Sequence, residues 1–410
     1  MDIQPILAAM RRNKFGAILI CIQMAVTIAV LCNAVFVIQQ RIAWTEAPTG
    51  IDEQNIFTMK NKWIGHPEQN PLTRTKADLV ALRGLAGVED AYASSSFPLM
   101  GYGQTGFVNI QPDQRNPTAN SSMYFADEHA LHTLGLKLTA GRNIRASEVI
   151  EFTFTTADFS GPPIGIIITQ SLAKALFPHE SALGKAVYYG MPRPFTIIGI
   201  VERLQGHSVR AGGWGSDFRE DTMIAPGRLP IAEIFYVVRT RPGQMASVMR
   251  EAQRSLLNAD PLRILTNVRT FKYTRQEAYR DDRAFVLILA VVCVIMLAVT
   301  ALGIVGLTSY WVTQRQRQIG IRRALGGTRL AILRYFLTEN LLIAVLASVL
   351  GCALTIGFNL WAVTTFEMAR LPYFYLAVGS GTILLLGQLA AFWPARRACV
   401  VPPALAARSV

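Results

Sequence analysis

The sequence predicts a membrane α-helical protein of four transmembrane helices that carries one large α/β extracytoplasmic domain. Three observations predict it: an apolar content too high for a soluble chain of this length, four apolar runs long enough to cross a bilayer, and basic residues gathered beside those runs. Of the 410 residues, 51% are hydrophobic and 16% charged, so part of the apolar content must face lipid. The net charge is +13. A nucleic-acid binder would array that charge as a stripe with interleaved aromatics, whereas here it reports membrane topology.

A bilayer core of about 30 Å needs about 20 apolar residues in helical form. The runs are 15–38, 284–308, 341–363 and 373–393. The first is longer than the apolar region of a signal peptide, so it reads as a span although Arg11, Arg12 and Lys14 precede it. A second basic cluster runs from Arg315 to Arg334, and a third holds Arg396, Arg397 and Arg408. With an even number of spans all three fall on one side, which the positive-inside rule makes cytoplasmic. Both termini and the 309–340 segment are then cytoplasmic, residues 39–283 lie outside, 364–372 form a short outer loop, and 394–410 are a cytoplasmic tail. Residues 1–14, with Ile3, Ile6, Leu7 and Met10 at helical spacing, predict an amphipathic helix on the membrane surface.

No Asp, Glu, Lys, Arg or His lies in the four spans. Ion-coupled carriers keep such groups near mid-membrane, so the spans do not read as a conduit. Gln23, Asn33, Asn359 and Gln388 are neutral and predict interhelical hydrogen bonds. Four of the five cysteines sit in the apolar runs and the polar middle has none, which excludes a disulfide framework there.

The outer segment alternates strand-like and helix-like pieces. Strands are predicted at Ile56–Lys60, Phe107–Gln111, Ile164–Thr169, Phe195–Val201 and Ile234–Arg239, and helices at Thr75–Leu85, Glu128–Leu134, Gln170–Phe177 and Gly243–Leu257. The loops 97–106 and 210–218, rich in Gly and aromatics, suit a flexible connection or a contact surface. His129 and His132 have no third ligand at metal-site spacing and read as surface residues. Gly184-Lys185 lacks the rest of a phosphate-binding loop, and no GxSxG, catalytic carboxylate pair or Cys and His pair is present. No enzyme chemistry is expected of this chain.

The most informative stretch is QRQRQIGIRRALGGTR, residues 314–329. As a helix it would set Ile321 and Leu325 on one face and Arg315, Arg322 and Arg329 on another, and Gly326-Gly327 would end it. Such a helix can dock in a groove of a cytosolic partner. A segment attracted only to anionic headgroups would need the arginines alone, and the interleaved Ile319, Ile321 and Leu325 go beyond that.

The run RQRQIGIRRALGGTRLAILRYFLTENLL resembles the signature between the second and third spans of the FtsX-like permeases of ABC transporters, and PARRACVVPPALAAR resembles the family's ending. SSMYFADEHALHTLGLKLTAGRNI and IIITQSLAKALFPHESALGKAVYYGMPRPFTIIGIVE resemble the periplasmic core of the MacB type. Gln318 stands where the family commonly has Glu, and residues 153–163 do not align. The resemblance implies an inner-membrane permease that binds no cofactor itself, with ATP and Mg on a separate cytosolic ABC ATPase dimer. It implies ATPase coupling through Arg315, Arg317, Gln318, Ile319, Gly320, Ile321, Arg322, Arg323, Ala324, Leu325 and Gly326. It also implies a second permease chain, identical or related, and in some such systems a periplasmic adaptor and an outer-membrane channel. Its mechanism would be mechanotransmission, in which ATP-driven motion reaches the outer domain and exports or extracts a substrate. The family's alternative is a signalling lever that controls a cell-wall hydrolase or sensor. The outer domain would comprise one part from about 50–95 and 230–272 and an inserted part between them.

Overall fold

The computed structural model describes residues 14–64, 70–112, 114–152, 162–190, 193–209, 219–324, 326, 328–366 and 369–399. The expected helix at 1–14, the loop 210–218, most of 153–163, Leu325 and the tail beyond Cys399 therefore lie outside the described residues, apart from Lys14. The chain divides into two units, an outer unit of residues 47–281 and a membrane unit of residues 1–46 and 282–410.

Helix α1 (Lys14–Glu46) precedes the outer unit. There follow β1 (Ile56–Trp63), α2 (Pro71–Arg83), β2 (Val88–Ser94), β3 (Gln104–Asn109), β4 (Ala119–Ala126), α3 (Ala130–Leu134), β5 (Leu138–Gly141) and β6 (Ile150–Glu151). Next come β7 (Ile164–Thr169), α4 (Gln170–Leu176), β8 (Ala186–Tyr189), β9 (Phe195–Val201), β10 (Thr222–Arg228), β11 (Glu233–Thr240), α5 (Met245–Ala259), β12 (Arg263–Thr270) and α6 (Phe271–Ala278). The remainder is helical: α7 (Arg280–Gln314), α8 (Gln316–Ala324), α9 (Arg329–Phe366) and α10 (Tyr373–Ala398).

Two sheets organise the outer unit. The smaller is antiparallel with order β12-β1-β11-β2, so it takes its strands from both ends of the segment and leaves the middle to the other sheet. Met59 of β1 lies opposite Tyr236 of β11, and Val237 of β11 opposite Tyr92 of β2. One face, with Phe57, Met59, Trp63 and Tyr236, packs on Leu79 and Leu82 of α2 and on Val248, Ala252 and Leu256 of α5. Those α5 residues recur at four, the spacing that puts one stripe of a helix inward. The other face, with Ile56, Tyr92 and Val237, packs on Tyr124, Ala126, Leu131, Leu134 and Phe271. Asn70 caps α2, its side chain accepting from the Leu72 N–H at 2.9 Å, and Pro71 fits the first helical position. The helix therefore starts four residues before the predicted Thr75.

In the larger sheet the pairings run β4-β3-β8-β9-β7-β10, and β10 also pairs with β4. These six strands thus close into a ring, which removes the edges an open sheet would expose. Ile164, Ile166, Ile168, Phe195, Ile197, Met223 and Phe125 fill its core. β5 joins beside β9 and β6 beside β10.

Among the described residues of the membrane unit four helices are long and apolar enough to cross a bilayer. Each runs past its predicted apolar stretch because charged residues continue it at the ends, and α10 passes through Pro394 to Ala398. α1 is the hub: Ala17, Ile20, Met24, Ile28 and Cys32 form a stripe against Ile304 and Trp311 of α7, Ile343, Ala344 and Ala347 of α9, and Ile383 and Ala391 of α10. Glycines let the backbones approach closely. A Cβ on Gly351 would lie 2.9 Å from the Ala25 carbonyl oxygen, and one on Gly379 2.2 Å from Cys32 Sγ.

Among the described residues of the outer unit one ion pair is fully enclosed, in which Arg263 of β12 grips Asp78 of α2 through two nitrogens at 2.7 and 3.0 Å. Tyr236 donates to the same carboxylate at 2.5 Å. With Arg263 2% and Asp78 4% exposed, Asp78→Ala strands a buried guanidinium, and the expected cost is about 3–5 kcal/mol. Tyr236→Phe keeps the pair but removes a hydrogen bond to a charged group, and is expected to cost about 1.5–3 kcal/mol. Thermal unfolding of the full chain measures both, and equal losses would contradict this assignment.

Candidate functional site

The segment singled out by sequence folds into a joint between three membrane helices. α7 ends where the Arg315 N–H bonds back to the Trp311 carbonyl at 3.1 Å, and α8 opens where Ile319 N–H bonds to the Arg315 carbonyl at 2.9 Å. Arg315 is thus the one-residue link between α7 and α8. Its side chain turns inward to Glu339 of α9, with Nη1 2.8 Å from Oε2 and 3.2 Å from Oε1, and the Tyr335 hydroxyl lies 3.5 Å away. Arg315 is 13% and Glu339 2% exposed. A guanidinium that crosses a bundle end this way is explained by the buried carboxylate it meets, since each charge offsets part of the other's loss of water.

α8 is seated by its apolar side. Ile319 packs with Val312 of α7, Ile332 and Phe336 of α9, and Ala395, Ala398 and Cys399 at the end of α10. The Cys399 thiol donates to the Arg329 carbonyl at 3.2 Å, which joins the end of α10 to the start of α9. Gly320 is buried beside Ile319, whereas Arg317 and Gln318 are exposed and Ile321 is 52% exposed. Ile319 and Ile321, two positions apart and so about 200° around the helix, point opposite ways, Ile319 into the bundle and Ile321 out of it. Gly326 adopts φ +91° with open space around it, the left-handed conformation that ends a helix at lowest cost on glycine. Arg322, Arg323 and Ala324 continue α8 in the backbone. Leu325 and Gly327 lie outside the described residues.

The neutral polar residues of the spans divide. Gln23 of α1 donates to the Val299 carbonyl of α7 at 3.1 Å, an interhelical bond as expected. Asn33 instead donates to Ala29 of its own helix at 2.9 Å, and Asn359 accepts from the Leu371 N–H before α10 at 3.0 Å. Gln388 Nε2 is buried without a hydrogen-bond partner among the described residues. Sequence reasoning missed the Thr27–Thr300 hydroxyl pair at 2.8 Å and the Arg41–Asp282 ion pair, which join α1 to α7. Thr27 and Thr300 look like ordinary small residues of apolar runs, and pairing needed the helix register.

Outside this joint, His129 and His132 both set Nδ1 3.0 Å from Asp90 Oδ2, within hydrogen-bond distance of a carboxylate of β2. Among the described residues no group of three His, Cys, Asp or Glu could hold a metal. The loop 97–106 is buried at its start and exposed from Gly101 to Thr105. Phe97 is fully buried edge-to-face on Phe271 at 5.4 Å, Leu99 is buried with φ +64°, and the Leu99 and Gly101 N–H groups bond to the Gly206 and His207 carbonyls at 3.2 and 2.8 Å. Burial pushes the His207 imidazole below its ordinary range, which keeps it neutral in that wall.

Residues 17–255 match the family model of the MacB-like periplasmic core domain, and residues 290–403 match that of the FtsX-like permease C-terminal region. Among curated relatives, the macrolide export ATP-binding/permease protein MacB of Chromobacterium violaceum is 28% identical over 302 residues, which is 70% of this chain and 43% of that protein. The uncharacterized ABC transporter permease YknZ of Bacillus subtilis is 24% identical over 349 residues, 82% of this chain and 79% of that protein. The chain spans less than half of the length of that MacB. The solved extracellular domain of a YknZ transporter, at 20% identity, is covered completely by 51% of this chain with a TM-score of 0.31.

The seat and the exposed face of α8 are separable by substitution. Ile319→Ala is expected to cost about 2–5 kcal/mol of stability through the cavity it leaves, and Ile321→Ala less than about 0.5 kcal/mol. Thermal unfolding of the purified full chain compares them, and the reverse order would contradict the seat.

Proposed function

Since the chain belongs to the MacB-type, FtsX-like ABC transporter permeases, we propose that it works as a non-catalytic subunit that passes the motion of a separate cytosolic ABC ATPase dimer to its periplasmic unit. The observation that carries this reading is the division of α8 into a face that locks into α7, α9 and α10 through Ile319 and a face that presents Arg317, Gln318 and Ile321. A helix built only to touch headgroups has no need of such a seat. ATP and Mg act on the partner, and Arg322, Arg323, Ala324, Leu325 and Gly326 complete the coupling segment together with Gly320.

In this reading the chain lies in the inner membrane with both termini cytoplasmic, paired with a second permease chain, identical or related. The four spans hold no charged residue in their apolar runs, so substrate does not cross between them. The outer units do the work from the far side, by export or extraction, with a periplasmic adaptor and outer-membrane channel as partners. The build of the outer unit, a closed ring of strands inserted into a helix-backed sheet, favours transport over a signalling lever for a hydrolase or sensor.

Ile321→Asp places a charge on the exposed face without touching the seat. It is expected to abolish ATP hydrolysis by the associated ATPase while the permease still inserts and folds. Hydrolysis at the level of the unmodified chain would favour headgroup binding instead.

A further inference from the structure

We propose that the Arg315–Glu339 pair is a positioning device, the tie through which displacement of α8 is passed to α9, and that Arg315 does not contact the ATPase. The inference rests on the coupling role proposed for α8 and names how that helix is geared to the bundle.

Arg315 occupies the only residue between α7 and α8, and its carbonyl is the first acceptor of α8. Any movement of α8 must therefore move the Arg315 backbone. The side chain that leaves this point ends on Glu339, ten residues into α9 and almost fully enclosed. An apolar contact such as Ile319 on Phe336 can slide at little cost, because dispersion is non-directional. A buried ion pair resists separation, because each charge would be left without a partner. The apolar seat thus holds α8 in place, and the ion pair makes α9 follow it. One nitrogen, Nη1, makes both contacts to Glu339 and the approach to Tyr335. That geometry asks for a cation at one point and does not use the paired fork that sets arginine apart from lysine. Charge should therefore matter more here than the identity of the base.

The experiment uses the full chain copurified with its ATPase in lipid nanodiscs, with Lys137→Cys spin-labelled by a membrane-impermeant reagent. Lys137 is 83% exposed on the outer unit. Two quantities are read: ATP hydrolysis, and the change in distance between the labels of the two permease chains on vanadate trapping. In Glu339→Gln, hydrolysis is expected to stay within about twofold while the distance change falls at least about threefold, because the neutral amide leaves no charge pair to resist separation. Arg315→Lys should keep more than about half of the distance change, because a point cation suffices. A full distance change in Glu339→Gln, or a loss in Arg315→Lys equal to it, would overturn the proposal. So would failure of Glu339→Gln to fold while Arg315→Lys folds and moves normally, since the carboxylate would then be a folding requirement. If no ATPase accompanies the unmodified chain, it is the coupling reading of α8 that fails, and this result is distinct from the others.

Discussion

With no water in a bilayer core, backbone polar groups must pair within each helix and polar side chains must find one another, and this constraint decides how α7 is held. Only 11% of the most apolar stretch of α7 is buried inside the chain, against 39% for α1. Dispersion alone gives such a helix a weak hold on its neighbours. Four polar ties supply register instead: Arg41–Asp282, Gln23 to the Val299 carbonyl, Thr27–Thr300, and Arg315–Glu339. Three join α7 to α1 and the fourth joins its end to α9.

The outer unit shows the same economy in a watery setting. Its smaller sheet is assembled from strands far apart in sequence, and helices α2 and α5 cover one face. Arg263, Asp78 and Tyr236 fix β12, α2 and β11 to one another at the buried centre of that packing. The ring of six strands between β2 and β11 has its own apolar core, with Ile166 and Ile197 fully buried. An inserted body with a separate core can keep its shape while the sheet that carries it is displaced.

The four apolar helices were legible because lipid demands long apolar runs, and the strands at 164–169 and 195–201 because they are continuous β-branched segments bounded by turns. β2, VEDAYAS, and β4, ANSSMYFA, were not legible. Both are buried on two faces, so their alternation vanishes, and Ser121 and Ser122 are buried in a strand that reads as a polar loop. β12 is polar because it is an edge strand, paired among the described residues with β1 alone. In residues 314–329 sequence located the helix and its end at Gly326, yet grouped Arg315 with Arg322 and Arg329 on one helix face. Helical periodicity was the wrong guide there, because Arg315 belongs to the break between α7 and α8, and its partner Glu339 lies 24 positions away.

The central claim is that this chain transmits the work of a separate ATPase, and affinity purification from native membranes in mild detergent addresses it most directly. Mass spectrometry of the eluate, together with its rate of ATP hydrolysis, is predicted to find an ABC ATPase subunit and permease chains in an active complex. A chain recovered alone, or with a cell-wall hydrolase and without an ATPase, would contradict the account.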